Sequence, residues 1–408
     1  MADRVIKVGL LGLGTVGSSL VRLLEANAQE VWRRTGVLPL VTTALVRDPA
    51  KPRNLGSWRG TLTTDPEEVL SSDVDVVVEA MGGVEPATQY LLRALERGKH
   101  VLTANKELVA GSGPKLLAAA ERPRRMFLFE ASVAGGVPVI GPLTTSLAAN
   151  RVSLVEGILN GTTNFILDAM REGASFESAL AEARRRGYAE ADPTEDIKGF
   201  DAARKLAILA SLAFDRPVPV AWVKTRGIEE VTPEDHQNAA RLGAVIKLLA
   251  RASSEGGRLE LSVVPTLIAA DHPLAAVRGA DNAVRVKADQ VGEVVFSGPG
   301  AGGPATASAL AGDLVAVARG AGALQIPAWK VPTIHESPAP AFDYRGRYYL
   351  RLRIEPDRLR EEGLVLARSW RRQAGFGAVV GPVGERELRR ALRRLGHAYT
   401  YFPLREDD

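Results

Sequence analysis

Cysteine is absent from the 408 residues. That excludes disulfides, thiolate metal sites and a cysteine nucleophile. It also excludes oxidation of an aldehyde to an acyl phosphate through a thiol adduct, so aldehyde chemistry here should be hydride exchange with an alcohol. Histidine is scarce. His100, His236, His272, His335 and His397 are scattered, and none pair at metal-ligand spacing, so zinc-assisted chemistry is not expected. No apolar run is long enough to span a membrane. The opening "MADRVIKVGLLGLG" enters a strand-like run within a few residues. That leaves no room for a signal or transit peptide, and a cytoplasmic protein without a membrane partner is expected. A catalyst must rely on Lys, Asp, Glu, Ser, Thr or Tyr, or on a cofactor.

The length allows two or three domains, and 46% apolar with 25% charged residues is ordinary for a soluble globular chain. The net charge of +4 is uneven. From Ala341 onward there are fifteen arginines, no lysine and ten acids, which leaves the rest about neutral. The acids interleave with the arginines, so a solvated helix face is the plain reading and no nucleic-acid partner is expected. The richness in Arg, with no cysteine, fits a GC-rich or heat-adapted source.

"VIKVGLLGLG" (Val5–Gly14) is nearly continuous apolar sequence, as a strand buried on both faces requires. A helical pattern follows over Thr15–Arg34, then strands at Leu38–Asp48 and Asp73–Gly83, a helix at Pro86–Gly98 and the strand "HVLTANK". This alternation predicts an α/β fold, with a Rossmann-type doubly wound parallel sheet over residues 1–140. A small-residue helix at about 303–322 returns to complete it. Residues 141–302 read as an α+β substrate and dimerisation domain, with "VSLVEGILNGTTNFIL", "LELSVVPTLI", "NAVRVKAD" and "EVVFSGPG" as strand candidates. Helices are expected at Ser175–Arg186 and roughly Phe200–Ala213. A Pro-rich linker at Ile334–Arg347 leads to a small β/α unit over 341–408.

"GLGTVG" places Gly12, Gly14 and Gly17 in G-x-G-x-x-G spacing between a strand and a helix. The first glycine permits the tight turn, the second the approach of a pyrophosphate, and the third close packing of helix on strand. The second strand ends "VRD". An acid there suits the ribose hydroxyl of NAD, and an arginine suits the 2′-phosphate of NADP. Arg47 is nearer the strand end and Asp48-Pro49 reads as a turn, which favours NADP and leaves NAD open. The next strands end in "EAMGG" and "TANK", so Thr103 and Lys106 should lie along the cofactor crevice. "FEASVAGGVPV" (Phe129–Val139) has one carboxylate and many small residues that can turn carbonyls to one point, as a hard cation requires. A domain-crossing loop would read the same way.

"GYAEADPTEDIKGFDAARK" (Gly187–Lys205) carries five acids and two lysines. A nicotinamide enzyme reducing a carbonyl must protonate its oxygen as the hydride arrives. Without zinc or a placed histidine, lysine is the natural acid. Asp201 and Lys205 stand at i, i+4 and share a helix face. Glu190 lies upstream, where it can grip an ammonium group. On spacing alone an ordinary solvated salt bridge is the commoner outcome.

Together and in this order, "GLGTVG", "TANKELVA", "FEASVAGGVPVI", "GILNGTTNFIL", "GYAEADPTEDIKGFDAARKLAILA" and "GPGAGGPATASALAGDL" resemble homoserine dehydrogenase. The resemblance runs from about Val5 to Gly320, and its Gly157–Asn164 and Gly187–Lys205 blocks are the most specific. It implies NAD(P)-dependent interconversion of L-aspartate 4-semialdehyde and L-homoserine, on the way to threonine, methionine and isoleucine. It implies Lys205 as proton donor, Asp201 as the group orienting the reacting oxygen, and Lys106 as needed beside substrate and nicotinamide. Glu190 would contact the substrate amino group, with Asp196 assigned to the same side, while Asp192, Glu195 and Lys198 shape the loop. Leu13, Gly14, Thr15 and Val16, with Gly12, Gly17, Arg47 and Gly302, would form the cofactor site. Glu130, with the carbonyls of Val133, Gly135 and Val137, would hold sodium or a similar ion. The resemblance also implies a homodimer formed through the second domain. Many bacterial members end in an ACT regulatory domain with a "D-x-P-G-V-L" turn. Here the corresponding "IEPDRLREEGLVL" (Ile354–Leu366) lacks the Pro-Gly turn, so the tail resembles an eroded ACT unit. Two readings compete with this one: a nicotinamide-binding sensor whose tail contacts an anionic partner, and a dehydrogenase for a different hydroxy-amino acid.

Overall fold

The computed structural model describes residues 4–121, 124–256, 258–320, 344–372, 375–396 and 399–405. His335, His397, most of the expected linker at Ile334–Arg347 and the last two residues of the expected 303–322 helix lie outside them. In chain order the elements begin with β1 (Arg4–Leu11), α1 (Thr15–Ala26), α2 (Ala28–Thr35), β2 (Val37–Leu45), β3 (Thr61–Thr63), α3 (Pro66–Leu70) and β4 (Val76–Glu79). Next come α4 (Ala87–Glu96), β5 (His100–Thr103), α5 (Lys106–Glu121), β6 (Phe127–Leu128), α6 (Ile140–Thr144), β7 (Val152–Ile158), α7 (Gly161–Arg171), α8 (Phe176–Arg185) and α9 (Thr194–Ile197). There follow α10 (Phe200–Ala213), β8 (Lys224–Thr225), α11 (Pro233–Arg241), β9 (Ala244–Glu255), β10 (Arg258–Ala269), β11 (Asp281–Ala288), β12 (Gly292–Pro299) and α12 (Gly303–Ala318). The tail adds β13 (Arg345–Leu352), α13 (Arg358–Glu361), β14 (Leu366–Arg372), β15 (Gly375–Gly384), α14 (Glu385–Arg394) and β16 (Tyr399–Arg405).

The chain divides into two units. The first holds residues 4–152, 204–220 and 288–320, and the second holds 153–203, 221–287 and 344–405. In the first unit the sheet order is β3-β2-β1-β4-β5-β6, with every pair parallel. The chain moves outward one way from β1 and then the other way from β4. The crevice at that reversal, beyond the carboxyl ends of the strands, is where such sheets bind ligands. Val8, Leu10 and Leu11 of β1 have no solvent exposure, as a central parallel strand requires. Leu20 and Leu24 of α1 and Leu310, Leu314 and Val317 of α12 pack into one core with Val8, Leu10, Val76 and Val78. The returning helix thus covers the same face of the sheet as α1.

In the second unit the sheet runs β11-β7-β9-β10-β16-β13-β15-β14, and β8 pairs with β10. The tail has the order β-α-β-β-α-β, and its strands lie β16-β13-β15-β14 with antiparallel neighbours, the ferredoxin-like arrangement. It is not a separate body. β16 continues the main sheet by pairing parallel to β10 at Leu267–Leu404 and Ile268–Arg405. Tyr349 fastens it further: its ring stacks on Trp370 and Phe402, and its hydroxyl donates to Asp235 Oδ1 at 2.9 Å.

One strand candidate was half helix. Val152–Ile158 of "VSLVEGILNGTTNFIL" forms β7, but Gly161–Arg171 is α7. An apolar run with β-branched residues does not separate strand from helix by pattern. The deciding residue is Asn160, whose side chain accepts the Thr163 N–H and caps the helix. α7 is pinned from beneath by Lys247, 1% exposed, whose Nζ donates to Asn164 Oδ1 at 2.8 Å, Asp168 Oδ1 at 3.1 Å and the Val277 carbonyl at 2.6 Å.

His236 lies near this pair, 4% exposed, with no hydrogen-bond partner on either ring nitrogen among the described residues. Burial pushes its pKa down from 6.5 to about 4; the charge of Asp168 opposes the shift and that of Lys247 adds to it. The unfolded chain takes up this proton near pH 6.5, the folded chain only near pH 4. Stability is therefore whole above pH 6.5, falls as pH drops towards 4, and loses about 3 kcal/mol over that window from this group. Urea midpoints of His236→Leu should show a shallower acid limb than the parent; an unchanged slope would count against this assignment.

Candidate active site

The crevice at the β1/β4 reversal has a volume of about 1220 Å³ and begins at the glycine turn. Gly12 has φ +104°, and a Cβ there would stand 2.7 Å from the Ala80 carbonyl oxygen. A Cβ on Gly17 would stand 2.3 Å from the Gly12 oxygen, while one on Gly14 would meet nothing within 4 Å. Those are the turn, packing and open-approach roles in the expected order. Leu13, Gly14 and Thr15 line the crevice, whereas Val16 packs against the core. Gly302, φ +108°, caps α12 next to Gly303, where a Cβ would crowd Ser19 and Thr15 at the start of α1.

At the end of β2, Arg47 is exposed, and Asp48 Oδ1 accepts the Ala50 N–H at 2.9 Å, so the acid is committed to a turn. Arg22, Lys51 and Arg53 line the same crevice. Sequence reasoning missed these three, because Arg22 comes from α1 and the other two from a loop with no helical or strand signal. Arg22 is held by the Asn54 carbonyl at 2.8 Å and Arg53 by the carbonyls of Lys51 and Asp48.

The other strand ends are tied together. Glu79 is fully buried, and burial pushes its pKa up against the pull of its hydrogen bonds. Thr103, also fully buried, donates its hydroxyl to Glu79 and accepts the Asn105 N–H at 3.0 Å, so its side chain faces inward. Lys106 opens α5, which Asn105 caps by accepting the Leu108 N–H at 3.1 Å. Arg204, the neighbour of Lys205, lies 3.9 Å from Glu107, the neighbour of Lys106. The segments carrying the two lysines therefore meet.

The Glu130 carboxylate accepts the N–H groups of Val139 at 2.7 Å, Ile140 at 2.9 Å and Gly141 at 2.6 Å. It is thus turned to the backbone of the following turn. The carbonyls of Val133, Gly135 and Val137 accept no hydrogen bond among the described residues. Free backbone oxygens suit a hard cation, so the loop fits one through its carbonyls, with the Glu130 side chain holding the loop. Asp313 reinforces it from α12 by accepting the Glu130 N–H at 3.1 Å, and burial, then the Glu130 charge, keep its carboxyl well above the usual range.

In the second unit, Asn160 joins two acids far apart in sequence. Its Nδ2 donates to Asp196 Oδ1 at 2.7 Å and to Asp201 Oδ2 at 2.9 Å. Asp196 Oδ2 also accepts the Thr162 hydroxyl at 3.1 Å, so Asp196, expected on the substrate side, clamps the loop to α7. Asp201 is 3% exposed near the start of α10, and Lys205 follows one turn later on the same helix. Glu190 is exposed and makes no hydrogen bond or ion pair among the described residues. Asp192 accepts both the N–H and the hydroxyl of Thr194 and so shapes the loop.

Comparison with known proteins decides the family. The profile of the homoserine dehydrogenase NAD-binding domain matches residues 12–130, and that of homoserine dehydrogenase itself matches residues 138–315. The chain belongs to the homoserine dehydrogenase family. Homoserine dehydrogenase of Bacillus subtilis is 46% identical over 316 residues, 77% of this chain and 73% of that protein. The enzyme of Mycobacterium tuberculosis H37Rv is 49% identical over 328 residues, 78% of this chain and 73% of its own. The crystal structure of a homoserine dehydrogenase from Thiobacillus denitrificans superposes with a TM-score of 0.91, at 39% identity, over 99% of both chains. A hyperthermophilic archaeal homoserine dehydrogenase in complex with NADPH matches with a TM-score of 0.65, at 28% identity, over 76% of this chain and 97% of its own. The activity of a homoserine dehydrogenase is hydride exchange between homoserine and aspartate 4-semialdehyde on a nicotinamide cofactor, and the parallel sheet with its glycine turn is the cofactor-binding part.

Proposed function

We propose that this homoserine dehydrogenase prefers NADPH to NADH and serves threonine, methionine and isoleucine biosynthesis. The charge at the end of β2 carries the preference. Arg22, Arg47, Lys51 and Arg53 line the crevice, and the lone acid among them, Asp48, is bonded into a turn. Arginine and lysine suit a 2′-phosphate, and a free acid would suit the ribose diol of NAD. The archaeal relative in complex with NADPH agrees with this reading. Arg47→Ala should lower kcat/KM for NADPH by roughly 10–100-fold, the value of a charge-assisted hydrogen bond, and leave NADH nearly unaffected. Equal losses with both cofactors would contradict the phosphate role.

The bound nicotinamide supplies the hydride. Glu190 pairs its exposed carboxylate with the substrate ammonium. Asp201, oriented by Asn160, directs the reacting oxygen. Lys205 gives that oxygen a proton as the carbonyl carbon is reduced, and accepts one from the alcohol in reverse. Lys106 stands beside substrate and nicotinamide. A monovalent cation such as sodium sits on the carbonyls of Val133, Gly135 and Val137 and stiffens the loop. Two copies associate through the second unit, and the tail acts as an ACT-like unit that lacks the threonine-binding turn. No helix among the described residues is long and apolar enough to cross a membrane, in keeping with a cytoplasmic enzyme.

A further inference from the structure

Glu79 ends β4 without solvent exposure, in register with Leu11 on one side and Thr103 on the other. A buried carboxyl is costly unless its oxygens are bonded. Here both are, and to two different loops. Oε1 accepts the N–H groups of Met81 at 2.7 Å and Gly82 at 3.1 Å, and Oε2 accepts the Thr103 hydroxyl. The Thr103 oxygen in turn accepts the Asn105 N–H, and Asn105 Nδ2 reaches back to the Gly83 carbonyl at 2.5 Å. The ring of bonds is closed. One loop, Ala80–Gly82, lines the cofactor crevice and abuts the glycine turn at Gly12. The other leads into Lys106, and Asn105 caps the helix that Lys106 opens.

We propose that Glu79 is a positioning residue for the hydride transfer, fixing Lys106 against the crevice wall through Thr103 and Asn105. This rests on the assignment of Lys106 to catalysis. Glu79 touches no reactant; its effect is on where Lys106 stands. A displacement of about 1 Å at a reacting group costs on the order of 100-fold in rate.

The test is a set of variants of the full enzyme, with steady-state kinetics and a urea midpoint for each. Glu79→Gln keeps the shape and the acceptor for Met81 and Gly82, but turns the atom facing Thr103 from acceptor to donor. It should lower kcat by roughly 10–100-fold while the KM for NADPH stays within about threefold. Thr103→Val should lose a similar factor and Thr103→Ser should keep kcat; this pair carries the comparison if Glu79→Gln fails to fold. In a Lys106→Ala background, Glu79→Gln should cost less than about twofold more, because residues acting as a unit are not additive. The same loss in both backgrounds, an unchanged kcat, or a rise in KM alone would overturn the proposal. Full activity of Lys106→Ala by itself would overturn the Lys106 assignment, and that outcome is read from the single variant.

Discussion

Lys205→Ala will lower kcat for semialdehyde reduction by about 10²–10⁴-fold, the range for loss of a positioned general acid, with KM little changed. The argument is partly by elimination. His100 stands at the amino end of β5, opposite the crevice edge, with Nδ1 accepting the Met126 N–H. His236 is buried beneath α7, and His272 is bonded to Glu156 inside the second unit. His100 is thus held away from the carboxyl edge of its sheet, and the other two are buried within their own unit. Lys205 stands one turn after Asp201, and the segment carrying it meets the one carrying Lys106. Lys205→Arg should be nearly as damaging, because a guanidinium holds its proton too tightly to donate it. If Lys205→Ala raises KM and spares kcat, the lysine binds substrate and does not protonate it.

Lys247→Met will destabilise the second unit by about 3–5 kcal/mol, as removal of one partner from a buried ion pair does. Three acceptors lose their donor at once: Asn164 Oδ1, Asp168 Oδ1 and the Val277 carbonyl. Asp168 keeps the Gly279 N–H at 2.9 Å and a long bond to Arg278, so it is not left bare. Pairing Lys247→Met with Asp168→Leu should recover much of the loss, since a matched apolar pair replaces a buried ion pair at little cost. Denaturant midpoints of the parent, the single and the double variant decide it; additive losses would mean that the two residues stabilise the fold separately. The change should also be felt at the site, because α7 carries the Asn160 cap that holds Asp196 and Asp201.

Features set by local sequence were legible. The glycine spacing, the apolar central strand and the helix at Phe200–Ala213 follow from neighbours within a few residues, and the structure has them in place. The cluster at the end of β2 was half legible: Arg47 stands in the strand-end motif, but Arg22, 25 positions earlier, meets it only once α1 has folded back. Asn160 was hidden for the same reason. Its partners are 36 and 41 residues away, in α9 and the first turn of α10, and only the folded chain brings them to the start of α7. Asp196 adds what its block did not show: both of its oxygens accept hydrogen bonds within its own fold. Glu79 looked like the end of a strand and no more, since its role depends on a hydroxyl from the next strand.

The central claim is tested most directly by mixing the purified chain with L-aspartate 4-semialdehyde and following NADPH and NADH in parallel. The account predicts oxidation of NADPH with one homoserine formed for each cofactor consumed, and slower turnover of NADH. No oxidation of either cofactor, or oxidation without homoserine, would contradict it.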